Sequence, residues 1–167
     1  DTEYDGSVLP SADGWSVTVD DGASEGDYAS VSSGILTIDT SADGVERCYY
    51  AQTPTFDEDF YLKTRLKVTT SLSNGFHIQI KGDTKRAWFL ITSTEIFRWD
   101  MVDLISIAEL DFTNYITLEV FIKDQKVYVY ADGDFLDSFD VHSHSENASI
   151  AFGDISSVNG GTMLVYY

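Results

Sequence analysis

A chain of 167 residues with 28 Asp and Glu against 10 Lys and Arg has a formal net charge of −18, which argues against nucleic acid and anionic membranes as partners. Hydrophobic residues at 43% and aromatics at 14% exclude a disordered chain, and no apolar run approaches the ~18–20 residues of a membrane span. The length suits one domain over residues 1–167, the lone Cys48 excludes an internal disulfide, and a start without Met or a leader pattern is expected of a mature or excised piece.

In chain order, the apolar period is 2 almost everywhere. SGILTIDT (33–40) and CYYAQT (48–53) read as strands, the second with Cys48 as a small core hydrophobe. YLKTRLKV (61–68) alternates Leu62, Thr64, Leu66 and Val68 with Tyr61, Lys63, Arg65 and Lys67. FHIQIK (76–81) alternates Phe76, Ile78 and Ile80 with His77, Gln79 and Lys81, and RAWFLITS (86–93) follows a turn at Gly82-Asp83-Thr84. MVDLISIAEL (101–110) fits helix or strand. ITLEVFI (116–122) puts Ile116, Leu118, Val120 and Ile122 on one face, and KVYVYADGDFLDSF (126–139) is a hairpin turning at Asp132-Gly133. ASIAFGD (148–154) and TMLVYY (162–167) close the series, and Pro10 and Pro54 both sit near segment starts. Many short strands at roughly 8–12-residue spacing predict an all-β, two-sheet antiparallel sandwich.

Several stretches resemble one superfamily. LPSADGW (9–15) with SVSSGILTIDTS (30–41) looks like its opening strands, and FDEDFYLKTRLKV (56–68) like the long strand after an acidic turn. NYITLEVFIKDQKVYVYADGDFLDSF (114–139) is similar to its hairpin, and IAFGDISSVNGGTMLVYY (150–167) to its closing strands. The chain thus resembles the concanavalin A-like lectin/glucanase jelly rolls of laminin-G-like kind. That resemblance implies two curved sheets and a carbohydrate chain bound on one sheet or at its rim. These motifs are packing and turn signals, so they speak to fold more than to function.

Catalytic patterns are sparse. Sandwich glucanases carry alternating carboxylates on one strand, which places acid and nucleophile on one face. Asp57-Glu58-Asp59 is instead a run of neighbours at a turn, pointing alternately. The resemblance to alginate-lyase sandwiches implies a Gln-Ile-His strand, an arginine strand and a late tyrosine; here the strand reads His77-Ile78-Gln79, in reversed residue order, with Arg65 upstream and Tyr166 downstream in a strand without the surrounding motif. His142 and His144 alternate near Glu146 without a further ligand, and Asn147-Ala148-Ser149 matches a glycosylation acceptor.

For calcium, DTSADG (39–44) offers Asp39, Ser41 and Asp43 with Gly44 at the turn, but Tyr50 stands where a full loop needs its bidentate Glu. A second arrangement pairs Asp154 with Asp1, Glu3 or Asp5. A structural calcium at Asp39, Ser41, Asp43 and Asp154 is therefore an expectation.

The cations are unevenly placed. Seven of the 10 lie between residues 63 and 98, opposed there only by Asp83 and Glu95. If the strands carrying Lys63, Arg65 and Lys67, then His77, Gln79 and Lys81, then Arg86 and Trp88 are neighbours in one sheet, their polar faces coincide. With Trp99, that surface would suit an anionic glycan: cations for its acidic groups, indoles for sugar faces, Gln79 and His77 for directed hydrogen bonds. The expected function is non-catalytic carbohydrate binding, of an acidic polysaccharide, by an extracellular, secreted or surface-attached module. The alternatives are a structural or adhesion protein of a virion or surface layer and, more weakly, a polysaccharide lyase or hydrolase.

Overall fold

A computed structural model describes residues 4–20, 22–41, 47–53, 59–71, 75–82, 85–143, 148–155 and 161–166. Its strands are β1 (Ser16–Val19), β2 (Ala29–Ser32), β3 (Ile35–Asp39), β4 (Cys48–Gln52), β5 (Phe60–Ser71), β6 (Phe76–Lys81), β7 (Lys85–Ile91), β8 (Glu95–Trp99), β9 (Leu104–Glu109), β10 (Ile116–Lys123), β11 (Lys126–Ala131), β12 (Asp134–Asp140), β13 (His142–Ser143), β14 (Ser149–Asp154) and β15 (Gly161–Tyr166). A 3-10 turn (Pro10–Asp13) precedes β1 and a short helix, α1 (Glu25–Tyr28), precedes β2; Asp27 and Ser24 close the first turn of α1 as a capping box.

The strands form two antiparallel sheets. One runs β1-β4-β14-β6-β7-β8-β9, with β13 also on β7, and is eight-stranded; the other runs β12-β11-β10-β5-β15-β3-β2 and is seven-stranded. The alternation in the sequence sets which side chains meet between them. Leu66, Val68, Leu118, Val120, Val127 and Val129 from the seven-stranded sheet face Tyr50, Phe76, Ile78, Ile80, Phe89 and Ile91 from the other in one buried cluster. Each such side chain contributes about 1.5–3 kcal/mol by leaving water. Cys48 belongs to the same core, and burial pushes its thiol up to about 12.

The hairpin read at Asp132-Gly133 is present: both residues have positive φ, 50° and 89°, as a tight turn matched to strand twist requires. The 101–110 segment resolves as a turn followed by strand β9. The four-residue β1 and helix α1 were not read from the sequence, because a segment that short shows no clear period.

One expectation is corrected here. Strand β5, carrying Lys63, Arg65 and Lys67, is not a neighbour of β6; it lies between β10 and β15 in the opposite sheet. A strand with one apolar and one polar face fits either layer of a sandwich equally well, so alternation does not report which layer it joins.

Candidate functional site

Strands β6 and β7 form a hairpin whose closing bond runs from Gly82 N–H to the Lys85 carbonyl at 2.7 Å. Asp83 and Thr84 of the expected turn lie outside the described residues. The register pairs His77 with Leu90, Gln79 with Trp88 and Lys81 with Arg86. Because Ile78 and Phe89 point into the core, these six side chains share the outer face of the eight-stranded sheet. Trp88 thus faces outward with Arg86.

The same face continues across the sheet. Beyond Gln79 come Ala151, Ala51 and Ser16; beyond His77 come Gly153, Tyr49 and Thr18. The middle of this strip is built of small residues. Gly153 has φ +123°, and a Cβ there would meet the Cys48 carbonyl oxygen at 2.5 Å, so only glycine fits. Tyr49 and His77 therefore stand on either side of a gap without a side chain.

On the other side, Trp88 and Trp99 meet edge to face with centroids 4.4 Å apart. The Trp88 indole N–H donates to His77 Nδ1 at 2.8 Å, which places the proton of a neutral His77 on Nε2. The Arg86 guanidinium carbon lies 5.3 Å from the Trp88 ring and 4.9 Å from that of Trp99. Arg86 is only 8% exposed, although no second sheet covers it. Among the described residues no carboxylate lies within ion-pair distance of it; its Nη2 donates to the Met101 sulfur. His142 of β13 stands directly opposite Arg86 in register, with its Nε2 buried and without a hydrogen-bond partner among the described residues.

Lys63, Arg65 and Lys67 occupy the far side of the molecule. Lys63 Nζ lies 3.4 Å from Glu119, which also accepts the Tyr61 hydroxyl. Arg65 sits over Tyr115 and Tyr166, and Lys67 over Tyr115, at 5.0–5.3 Å. The lyase-like set is divided in the same way: His77 and Gln79 are on one outer face, Arg65 and Tyr166 on the other.

The calcium residues are partly placed. Asp39 is on β3, where its Oδ1 accepts from Ser41 N–H and hydroxyl and from Thr162. Burial pushes its carboxyl up, but those hydrogen bonds outweigh burial and leave it below the ordinary value. Asp154 is buried and accepts the Thr40 hydroxyl at 2.7 Å, joining the two sheets. Asp43, Asp1, Glu3, His144 and Glu146 lie outside the described residues, and among the described ones no three His, Cys, Asp or Glu side chains gather as metal ligands. Tyr49, Met101 and Gly153 were not read from the sequence as site residues. Tyr49 carries a signal, since it alternates with the core pair Cys48 and Tyr50, whereas Met101 meets Arg86 only through the turn joining β8 to β9.

No protein-family model matches the chain. No curated protein matches it either. Solved structures do. A sialidase superposes with TM-score 0.69 at 9% identity over 95% of this chain, which spans 17% of the sialidase. An alginate lyase from Corynebacterium sp. gives 0.60 at 13% identity, covering 87% of this chain and 81% of the lyase. A Bacillus licheniformis β-glucanase gives 0.57 at 13% identity, covering 90% and 88%. At such identities the likeness is one of fold: the chain is an all-β, two-sheet antiparallel jelly-roll sandwich like theirs.

Proposed function

We propose that this protein binds a polysaccharide without cleaving it, on the outer face of the eight-stranded sheet, and that the preferred chain is acidic. One observation carries the reading. Arg86 is buried between two outward indoles, and among the described residues no carboxylate lies within ion-pair distance of it, in a chain of net charge −18. Trp88 and Trp99 offer apolar ring surface to a sugar, Gln79, His77 and Tyr49 offer directed hydrogen bonds, and Lys81 and Arg86 answer acidic groups. Proteins of like fold named as a sialidase, an alginate lyase and a β-glucanase support a carbohydrate as the ligand class. The separation of Arg65 and Tyr166 from His77 and Gln79 favours binding over lyase chemistry.

The test is a glycan array with affinity electrophoresis. Wild type is expected to be retained by carboxylated or sulfated polysaccharide, less so as salt rises. Trp88→Ala is expected to lose about tenfold in affinity, the scale of one lost aromatic contact. No retention on any glycan overturns the proposal. Repeating the measurement with a calcium chelator tests the Asp39–Asp43 loop as a structural calcium site; unchanged stability and retention would leave it an ordinary acidic turn.

A second reading rests on the opposite face, where Tyr61, Phe121, Tyr130 and Phe135 form a run of ring contacts 4.5–5.7 Å apart, three of the four exposed. Such a surface suits a structural or adhesion component that packs against further copies of itself. Light scattering of wild type against Phe121→Ser checks it.

A further inference from the structure

The Arg86 environment contains a mismatch between charge and partner. A buried guanidinium normally meets carboxylate or carbonyl oxygen, because its five N–H donors lose water on burial. Here the acceptor is a thioether, which is among the weakest in proteins. The two indoles orient the guanidinium but accept no hydrogen bond in its plane. Directly opposite, His142 Nε2 is also buried and, among the described residues, without a hydrogen-bond partner. Two nitrogen groups thus stand on one patch with no oxygen supplied to them among the described residues.

What lies on Arg86 is the tip of the β8–β9 hairpin, residues 100–103. Met101 holds its sulfur on Arg86 while its own backbone sits at φ +81°, a left-handed conformation that a long side chain adopts at a cost. The tip is kept in shape by Asp100, whose Oδ1 accepts the N–H groups of Val102 at 3.0 Å and Asp103 at 2.8 Å. It is otherwise weakly anchored: Met101 is 43% exposed and Val102 81% exposed.

We infer that Arg86 and His142 form an anion subsite for a carboxylate or sulfate group of the glycan, and that Met101 is a removable cover occupying the anion's place. The inference rests on the glycan-binding reading and gives it a subsite and a gate. Oxygen replaces sulfur on the guanidinium, the tip swings outward and the strained backbone at Met101 relaxes. A bound anion accepts the fork of Arg86 and a hydrogen from His142, while the sugar ring lies on Trp88 and Trp99. An uncharged chain gains nothing from opening the tip and binds with the cover closed.

The sequence supplies a convenient readout, since it has only two methionines. Met163 is 1% exposed in the core and serves as internal reference for Met101. With methyl-labelled methionine, titration with inorganic sulfate, and separately with trigalacturonate, is expected to move the Met101 resonance out of the field of the two indoles and leave Met163 in place. A neutral galactose trisaccharide is expected to leave both where they are. Met101→Ala removes the cover and tightens trigalacturonate binding; Arg86→Gln weakens it by about tenfold or more, the scale of one charged hydrogen bond, and abolishes the sulfate response. Trigalacturonate binding with a stationary Met101 signal and indifference to both substitutions overturns the subsite while the glycan reading stands. A sulfate response through Arg86 without binding of any glycan supports the subsite and removes the glycan reading. Because Met101 is at an exposed tip, its substitution tests the cover even if Arg86→Gln fails to fold.

Discussion

The two outer faces of this sandwich carry the same kinds of residue and treat them differently. On the seven-stranded sheet, Lys63 is 58% exposed and pairs with Glu119, and Arg65 and Lys67 ride over tyrosines. On the eight-stranded sheet, Arg86 is 8% exposed, packed between indoles and without a carboxylate among the described residues. An exposed ion pair is hydrated and screened and is worth about 0–1 kcal/mol, so the first arrangement asks nothing of a ligand. A desolvated, under-satisfied cation gains from each oxygen brought to it. Desolvation and the choice of partner, more than the count of cations, separate a solvated surface from a binding face.

The sharpest way to break this comparison is to remove one aromatic from each face. Trp88→Ala is expected to weaken binding of acidic glycan by about tenfold, whereas Tyr61→Ala changes it by less than about twofold. Affinity electrophoresis of both variants in one gel decides it. If Tyr61→Ala does the greater damage, the faces have been assigned the wrong way round.

A second contrast concerns stability. Asp154 is 1% exposed and its acceptance of the Thr40 hydroxyl ties β14 to the end of β3 across the core. Asp154→Ala is expected to cost about 2–3 kcal/mol, since a buried donor loses a charged partner, against less than about 1 kcal/mol for Glu119→Ala. Urea midpoints measure both. Cys48 reports the same event locally, because it pairs with Asp154 in register and its buried thiol lies at about 12. It stays unlabelled by iodoacetamide at pH 8 in the wild type and reacts faster in Asp154→Ala. Equal labelling rates would show that the Thr40–Asp154 link does not hold this end of the sandwich.

The contrast between faces was only half legible in the sequence. Alternation in FHIQIK and RAWFLITS fixed which side chains point together, and the short connection between them made the two strands partners, so His77, Gln79, Lys81, Arg86 and Trp88 were brought together correctly. The same alternation in YLKTRLKV said nothing of which layer β5 joins; that depends on a connection that crosses the sandwich, and pairing with β10 and β15 over more than 40 residues of chain is invisible to a local period. The need for glycine at 153 follows from its approach to the Cys48 carbonyl, and the Met101 contact follows from the turn's path; neither is carried by a motif. Of the DTSADG stretch only Asp39, Thr40 and Ser41 are described, and the hydrogen bonds from Ser41 and Thr162 that engage Asp39 come from its three-dimensional setting.

The smallest expected effect, and the most discriminating between the two faces, is that of acid. The N–H groups of Asp103 and Val102, chiefly, hold the Asp100 carboxyl below its ordinary 3.8. A carboxyl lowered on folding adds its hold above the unfolded value and loses it as pH falls through the lower folded value. The hairpin tip should therefore keep Met101 on Arg86 from pH 7 down to about 4 and loosen only below 3.8. On the other face Glu119 is lowered first by the Tyr61 hydroxyl and then by Lys63, from an ordinary 4.5, so its ties also persist until the pH is well below that value. Acid thus loosens a cover on one face and an exposed ion pair on the other: the first uncovers a buried guanidinium, the second only releases a lysine that is already 58% exposed. Sulfate binding at constant ionic strength, corrected for global unfolding by the Met163 signal, should tighten as the tip releases below 3.8. Asp100→Asn keeps an acceptor for Val102 and Asp103 without the titrating charge, so that step should vanish in it. A step that survives the substitution would place the acid response outside the tip and detach the cover from Asp100.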